Sequence, residues 1–196
     1  MKYIVGIDEV GRGPIAGPVA VCSFRCTPDF FDNIEIKTPL RDSKKLSKKQ
    51  REEWFTYLKL KKREGLCDYA VSYVSPQNID MYGIAPSIRK ALLVSLTKVA
   101  PVPEEVSVYL DGGLKAPLEY VHQETIIKGD ELYPVISCAS IVAKVSRDTV
   151  MTNFTKEYPE YGFEKHAGYG TKAHYDALKK HGLTALHRKS FLGNKK

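Results

Sequence analysis

Tyr3-Ile4-Val5-Gly6-Ile7-Asp8-Glu9-Val10-Gly11-Arg12-Gly13-Pro14 joins a β-branched run to two adjacent carboxylates and then to a glycine-bracketed arginine. The run from Tyr3 to Ile7 is short, apolar and bounded by turn residues, which predicts a buried strand. A buried strand that delivers acids at its carboxyl end fits an open α/β sheet, where ligands gather outside those ends. Neighbouring residues on a regular strand face opposite ways, so Asp8 and Glu9 share one site only if the strand ends there. Gly11 and Gly13 supply a bend, and Arg12 between them offers a planar fork to a phosphate. The competing interpretation is an ordinary strand-to-loop turn with solvated acids. The Gly-x-Gly triplet alone proves little, since it lacks the third glycine of a dinucleotide fingerprint and the Gly-Lys-Ser/Thr ending of a P-loop.

Outward from this segment the chain alternates. Val19–Phe24 reads as a second strand, a possible hairpin partner of the first. Ser47-Lys48-Lys49-Gln50 has the form of a capping box, so a helix is expected from there through Trp54, Leu58 and Lys62, ending at Gly65. Asp68–Val74 alternates like a strand. Pro86 then opens a helix with Ile88, Leu92, Leu96 and Val99 at helical spacing, stopped by Pro101 and Pro103. Val106–Leu110 is again a short apolar strand, and it ends on Asp111-Gly112-Gly113, repeating the opening arrangement. Asp111 converges with Asp8 and Glu9 if the two strands are neighbours; otherwise it is an Asp-Gly turn residue. A third strand-like stretch, Val121 to Ile127, leads into Lys128-Gly129-Asp130. One long helix is expected from Ser137 to about Tyr158, with Lys144 and Arg147 as candidates for the substrate side and Asp148 as an i,i+4 partner of Lys144.

A chain of 196 residues can bury a real core in one domain, with at most a smaller appended piece. No apolar run is long enough to span a bilayer, and the chain opens directly on a strand; a cytoplasmic protein without a membrane partner is the expectation, a monomer the default. Cys22, Cys26, Cys67 and Cys138 show no zinc-type spacing and are expected as free, buried thiols. His122, His166, His174, His181 and His187 form no His-Glu-x-x-His pattern, so surface or substrate-side roles are expected for them. The net charge of +7 is concentrated in two zones. Residues 41–63 carry ten Lys or Arg against three acids, and residues 156–196 carry nine against four. Either zone favours a polyanionic partner, although a solvated helix face explains one such run equally well.

Asp8, Glu9, Asp111 and Asp130 at strand ends, with no nitrogen or sulfur ligands beside them, suit hard divalent cations such as Mg2+ or Mn2+. Grouped carboxylates repel one another and titrate as a coupled set; a cation relieves that repulsion.

These residues fall into a known pattern. Asp8-Glu9-Val10-Gly11-Arg12-Gly13-Pro14, Asp42-Ser43-Lys44-Lys45-Leu46, Asp111-Gly112, Lys128-Gly129-Asp130, Ala139–Asp148, His166-Ala167-Gly168-Tyr169-Gly170-Thr171 and His187-Arg188-Lys189-Ser190-Phe191 follow one another in an order that resembles the type 2 ribonuclease H (ribonuclease HII) family of the bacterial kind. The resemblance spans nearly the whole chain. It implies an α/β fold, a ribonuclease H-like mixed β-sheet flanked by helices, over residues 1–155, with a basic C-terminal helical extension over 156–196 that contributes to substrate binding. It also implies a catalytic and metal-binding set of Asp8, Glu9, Asp111 and Asp130, with two Mg2+ or Mn2+ ions during catalysis. The implied reaction is hydrolysis of the phosphodiester 5′ of a ribonucleotide, in an RNA:DNA hybrid or in duplex DNA, leaving 5′-phosphate and 3′-hydroxyl ends. By the same resemblance the Gly11-Arg12-Gly13 loop senses the ribose 2′-hydroxyl, Tyr169 stacks on the adjoining deoxyribose, and Lys44, Lys45 and Arg188 hold phosphates. Cys138 stands where alanine is common and Ala167 where lysine is, the second removing one phosphate contact. Two other readings are a non-catalytic duplex-binding protein and a junction resolvase acting on branched DNA. The four acids weigh against the first, the Gly-Arg-Gly loop and Tyr169 against the second.

Overall fold

In the computed structural model, which describes residues 1–193, five strands form one mixed sheet in the order β3-β2-β1-β4-β5. They are β1 (Tyr3–Val10), β2 (Val19–Cys26), β3 (Cys67–Val74), β4 (Val106–Asp111) and β5 (Gln123–Ile126). β1, β2 and β3 pair antiparallel, whereas β4 lies parallel to β1 and β5 parallel to β4. The hairpin read between the first two strands is therefore present. The three longer helices are α1 (Lys48–Arg63), α3 (Ile84–Val99) and α5 (Pro134–Glu157), joined by shorter α2 (Pro76–Tyr82), α4 (Gly129–Leu132), α6 (Phe163–His166), α7 (Lys172–His181) and α8 (Lys189–Leu192).

The sheet is buried on both faces. Val5, Ile7, Val19 and Val21 pack with Ile88, Leu92 and Leu96 of α3 on one side. Cys22, Phe24 and Cys26 pack with Trp54 and Leu58 of α1 and with Ile136, Cys138 and Ile141 of α5 on the other. All four cysteines are free and buried, as their spacing predicted. Gly6 is what lets α5 approach: a Cβ there would overlap the Val135 carbonyl and the Ile136 amide, so any side chain would lift α5 from the central strand. α1 starts with the predicted capping box, Ser47 accepting from the Gln50 amide and Gln50 from the Ser47 amide.

Several elements differ from expectation. β1 continues through both acids to Val10. α2 was not read, since its seven residues carry no helical period long enough to register. α3 begins at Ile84, with Pro86 already inside its first turn. α5 starts at Pro134, where proline suits a first helical position, and runs through residue 155, at which the sequence reading divides the chain. Beyond α5, Tyr161, Phe163 and Leu186 close a third cluster on Ala16 and Met151, so the extension packs directly on the loop after β1. The last residues of that segment, 194–196, lie outside the described residues. Among the described residues no helix is long and apolar enough to cross a membrane.

Candidate active site

The parallel register of β1 and β4 brings the acids together. Ile7 lies opposite Leu110, so Asp8 and Asp111 are the next residues on adjacent strands. Even-numbered residues of β1 face α5, and Asp8 accordingly points toward that helix, where it meets Ser140. Asp8 is 6% exposed, and its Oδ1 accepts the Glu9 amide at 2.7 Å. Because the strand does not end between them, Glu9 leaves from the opposite face. Its carboxylate is drawn to Arg12 Nη1 at 2.9 Å, across the bend at Gly11, whose φ of +89° suits glycine.

Asp111 Oδ1 accepts the amide of Gly129 at 2.7 Å, which ties β4 to the start of α4. Asp130 is therefore delivered by the first turn of a short helix rather than by the end of β5, the position that the strand-like pattern suggested. Lys128 takes a left-handed conformation to make that turn. Asp130 is buried beside Asp42, a fifth acid, with which it shares a hydrogen bond. Lys44 Nζ stands 3.6 Å from Asp130, and the Asp42 side chain accepts the Lys44 amide at 2.9 Å. Asp42 was quoted only as part of a motif; its position beside Asp130 was not visible in sequence.

The electrostatics follow from burial and crowding. Burial raises the Asp8 carboxyl well above the ordinary range, and Glu9, Asp111 and Asp130 push it further. Burial also raises Glu9, with Arg12 opposing. Asp130 is raised to about 6, first by burial and then by Asp111 and Asp42, with Lys44 opposing. Four oxygen donors that repel one another, with no nitrogen or sulfur among them, are the donor chemistry of a hard divalent cation. Among the described residues no three of the His, Cys, Asp or Glu side chains are closed round a point that holds an ion as they stand. Glu9 is turned to Arg12 and Asp130 to Lys44, and both cations sit on long, mostly exposed side chains.

The remaining predicted residues divide. Lys45 reaches Glu131 at 2.6 Å on the rim, next to Asp130. Tyr169 is 48% exposed, with its ring beside Gly13, the nearest ring atom 3.7 Å from where a Cβ would be. Lys144 is paired with Asp148 at 2.9 Å, the alternative weighed from sequence. Both line a groove of about 550 Å³ with Lys48, Arg51, Lys165 and Tyr169, which runs alongside Tyr169 and does not include Asp8, Glu9, Asp111 or Asp130. Arg188 is a correction. It is fully buried, and its guanidinium is spent on backbone carbonyls, so it holds no phosphate. His174 and His187 are buried as well, which removes the surface half of the surface or substrate-side role expected of them, whereas His122 is exposed.

Comparisons with known proteins identify the family. A family model described as ribonuclease HII matches residues 5–193. The chain is 42% identical over 191 residues to ribonuclease HII of Bacillus thuringiensis (strain Al Hakam), covering 97% of this chain and 69% of that protein. The same figures hold for ribonuclease HII of Bacillus cereus (strain B4264). Among solved structures, the ribonuclease HII of a complex with PCNA from Archaeoglobus fulgidus superposes with a TM-score of 0.74 at 26% identity, covering 95% of this chain and 94% of that one. Ribonuclease H2 from Pyrococcus horikoshii OT3 has the same fold, with a TM-score of 0.74 at 24% identity over 96% and 93% of the two chains.

Proposed function

The chain belongs to the ribonuclease HII family, and from that premise we propose that Asp8, Glu9, Asp111 and Asp130 carry a metal-dependent endonucleolytic cut on the 5′ side of a ribonucleotide. The enzyme is a metal-dependent endoribonuclease acting on RNA:DNA hybrids. Its finer substrate is duplex DNA carrying as little as one ribonucleotide, cut to 5′-phosphate and 3′-hydroxyl ends by a monomer. The observation that carries this reading is the register of β1 and β4, which sets Asp8 beside Asp111 at the sheet edge where Asp130 also arrives.

The donor set suits Mg2+ or Mn2+, two per site during reaction. When bound, such cations would lower the pKa of a water and offset charge developing at the phosphorus. The protein does the rest. Asp8 and Asp111 are held by backbone amides, so their oxygens are in place before substrate arrives. Arg12 and Lys44 neutralise Glu9 and Asp130 in the free enzyme, and both are free enough to turn toward incoming phosphates. Gly11-Arg12-Gly13 tests the 2′-hydroxyl, the group by which RNA differs locally from DNA, and Tyr169 stacks on the next sugar. Lys45, and Lys144 along the groove, add positive charge to the path of the duplex.

The test is cleavage of duplex DNA holding one ribonucleotide, with Mg2+ or Mn2+, beside all-DNA and branched-DNA controls. Incision 5′ of the ribonucleotide and nowhere else is the expected result. Cleavage of the branched control, or binding without any cleavage, contradicts the assignment.

A further inference from the structure

Two arginines and a pair of histidines in or under the C-terminal segment are among the most buried polar residues of the molecule, and the reaction as proposed uses none of them. The arginines' hydrogen bonds run to the loop after β1 and to Ala167, and the histidines' lead through His174 to the Tyr169 carbonyl. Arg188 donates from Nε to the Gly17 carbonyl at 2.9 Å, from Nη1 to that of Arg12 at 3.1 Å and from Nη2 to that of Gly11 at 2.7 Å. Arg147 on α5 donates to the carbonyls of Pro18, Ala16 and Ala167 at 2.8, 3.3 and 2.9 Å. The loop after β1 turns too tightly to pair its own carbonyls, and the rigid five-donor fork of a guanidinium can satisfy several at fixed angles.

The histidines complete the other half. Thr184 N–H donates to His187 Nδ1 at 2.9 Å, so His187 carries its proton on Nε2. That proton is donated to Nε2 of His174 at 3.1 Å, which leaves the His174 proton on Nδ1, donated to the Tyr169 carbonyl at 2.9 Å. His166 stacks on His174 with ring centroids 4.5 Å apart, and its Nδ1 accepts the Gly168 amide. The two loops are also joined directly: the Gly168 carbonyl accepts the amides of Ile15 and Ala16, and His187 bridges Ala16 across an antiparallel pair.

We propose that the dipeptide His187-Arg188 is a specificity-determining positioning element, in which Arg188 fixes the Gly11-Arg12-Gly13 loop through its carbonyls and His187, acting through His174, fixes the backbone that presents Tyr169. The inference rests on the assignment of that loop and of Tyr169 to the ribonucleotide junction. Neither His187 nor Arg188 touches substrate. They set the spacing between the 2′-hydroxyl sensor and the stacking ring, and so decide whether a single ribonucleotide followed by a deoxynucleotide is met by both at once.

The test compares wild type with Arg188→Lys, His174→Leu and His174→Asn, with Tyr169→Ala as reference. Steady-state rates are measured on a single-ribonucleotide duplex and on a long RNA:DNA hybrid, below the melting midpoint of each protein. A lysine keeps the charge and loses the fork; leucine keeps most of the volume and loses the donor; asparagine restores an N–H near the Nδ1 position. Arg188→Lys and His174→Leu are expected to raise KM on the single-ribonucleotide duplex about tenfold or more, with a smaller change in kcat and a smaller effect on the long hybrid. His174→Asn is expected to recover most of that loss. A folded Arg188→Lys protein with wild-type KM, or an asparagine variant no better than leucine, overturns the proposal. If Arg188→Lys yields no folded protein, the contrast at His174 decides alone. Tyr169→Ala separates the two layers: if it leaves KM unchanged, the junction assignment has failed; if it raises KM while the positioning variants do not, only the positioning has failed.

Discussion

Asp8 illustrates how a single side chain trades stability for chemistry. Its folded-state carboxyl is raised well above the ordinary value, because burial and three neighbouring acids disfavour its charged form, and that cost falls on the folded protein. Asp8→Asn is thus expected to raise the melting temperature of the metal-free protein at pH 7 while lowering cleavage by more than about a hundredfold, the scale reached even by outer partners of metal ligands. Added Mg2+ or Mn2+ should raise the wild-type midpoint and leave that of the variant nearly unmoved, as a thermal melt would show. His187 gives the opposite pH signature. Burial, with His174 beside it, lowers its pKa to about 4 from an ordinary 6.5. Between those values the unfolded chain binds more protons than the folded one, so stability falls as pH drops from about 6.5 toward 4. The facing groups are His174, Thr184 and the Tyr161 ring, none a carboxylate able to hold an imidazolium. Urea melts at pH 7, 5.5 and 4 check this, and His187→Gln should flatten the trend. The burial of these histidines was not legible in the sequence, because hydrogen bonds from His187 to His174 and onward to Tyr169 depend on a chain fold that brings residues 161–187 into one cluster.

At the scale of elements, local signals were reliable where they were complete. The Ser47 capping box predicted the start of α1, and Ser47→Ala should cost about 1 kcal/mol in a denaturant melt without changing the cut site. β1 and β4 were legible from their β-branched runs and the acids that end them, and their adjacency turned two isolated Asp-containing turns into one site. What was not legible was the face each acid takes. β1 runs through Asp8 and Glu9, so their side chains diverge, and Glu9 is held from its own face by Arg12. Asp130 was singled out as the acid after a strand-like run, but the one-turn helix that carries it is too short to leave a period in the sequence. Gly6 ties these elements together. Gly6→Ala should push against the Val135 carbonyl, cost about 1 to 3 kcal/mol or more, and shift Asp8 relative to Ser140. A chemical-denaturation midpoint measures the first effect and the cleavage rate at saturating duplex the second.

For the whole molecule, the charge map and the fold point at the same face. Lys44 and Lys45 come from the first basic zone, and the groove beside Tyr169 draws Lys48 and Arg51 from it and Lys165 from the second. Duplex affinity should therefore fall steeply with salt, and Lys44→Ala with Lys45→Ala should flatten the slope of log Kd against log salt by about 1 to 2. The basic arginine that sequence placed on this surface, Arg188, turned out to lie beneath it, because composition reports charge and not depth. The central claim is that the acids at the ends of β1 and β4 make the cut at a ribonucleotide. It is tested most directly by mapping, at single-nucleotide resolution, the products that wild type and Asp8→Asn form from a duplex with one ribonucleotide in Mg2+ or Mn2+, with affinity for the same duplex measured in parallel. The account predicts one incision 5′ of the ribonucleotide by wild type, and duplex binding without incision by Asp8→Asn. An Asp8→Asn protein that binds the duplex and cuts it at the wild-type rate contradicts it.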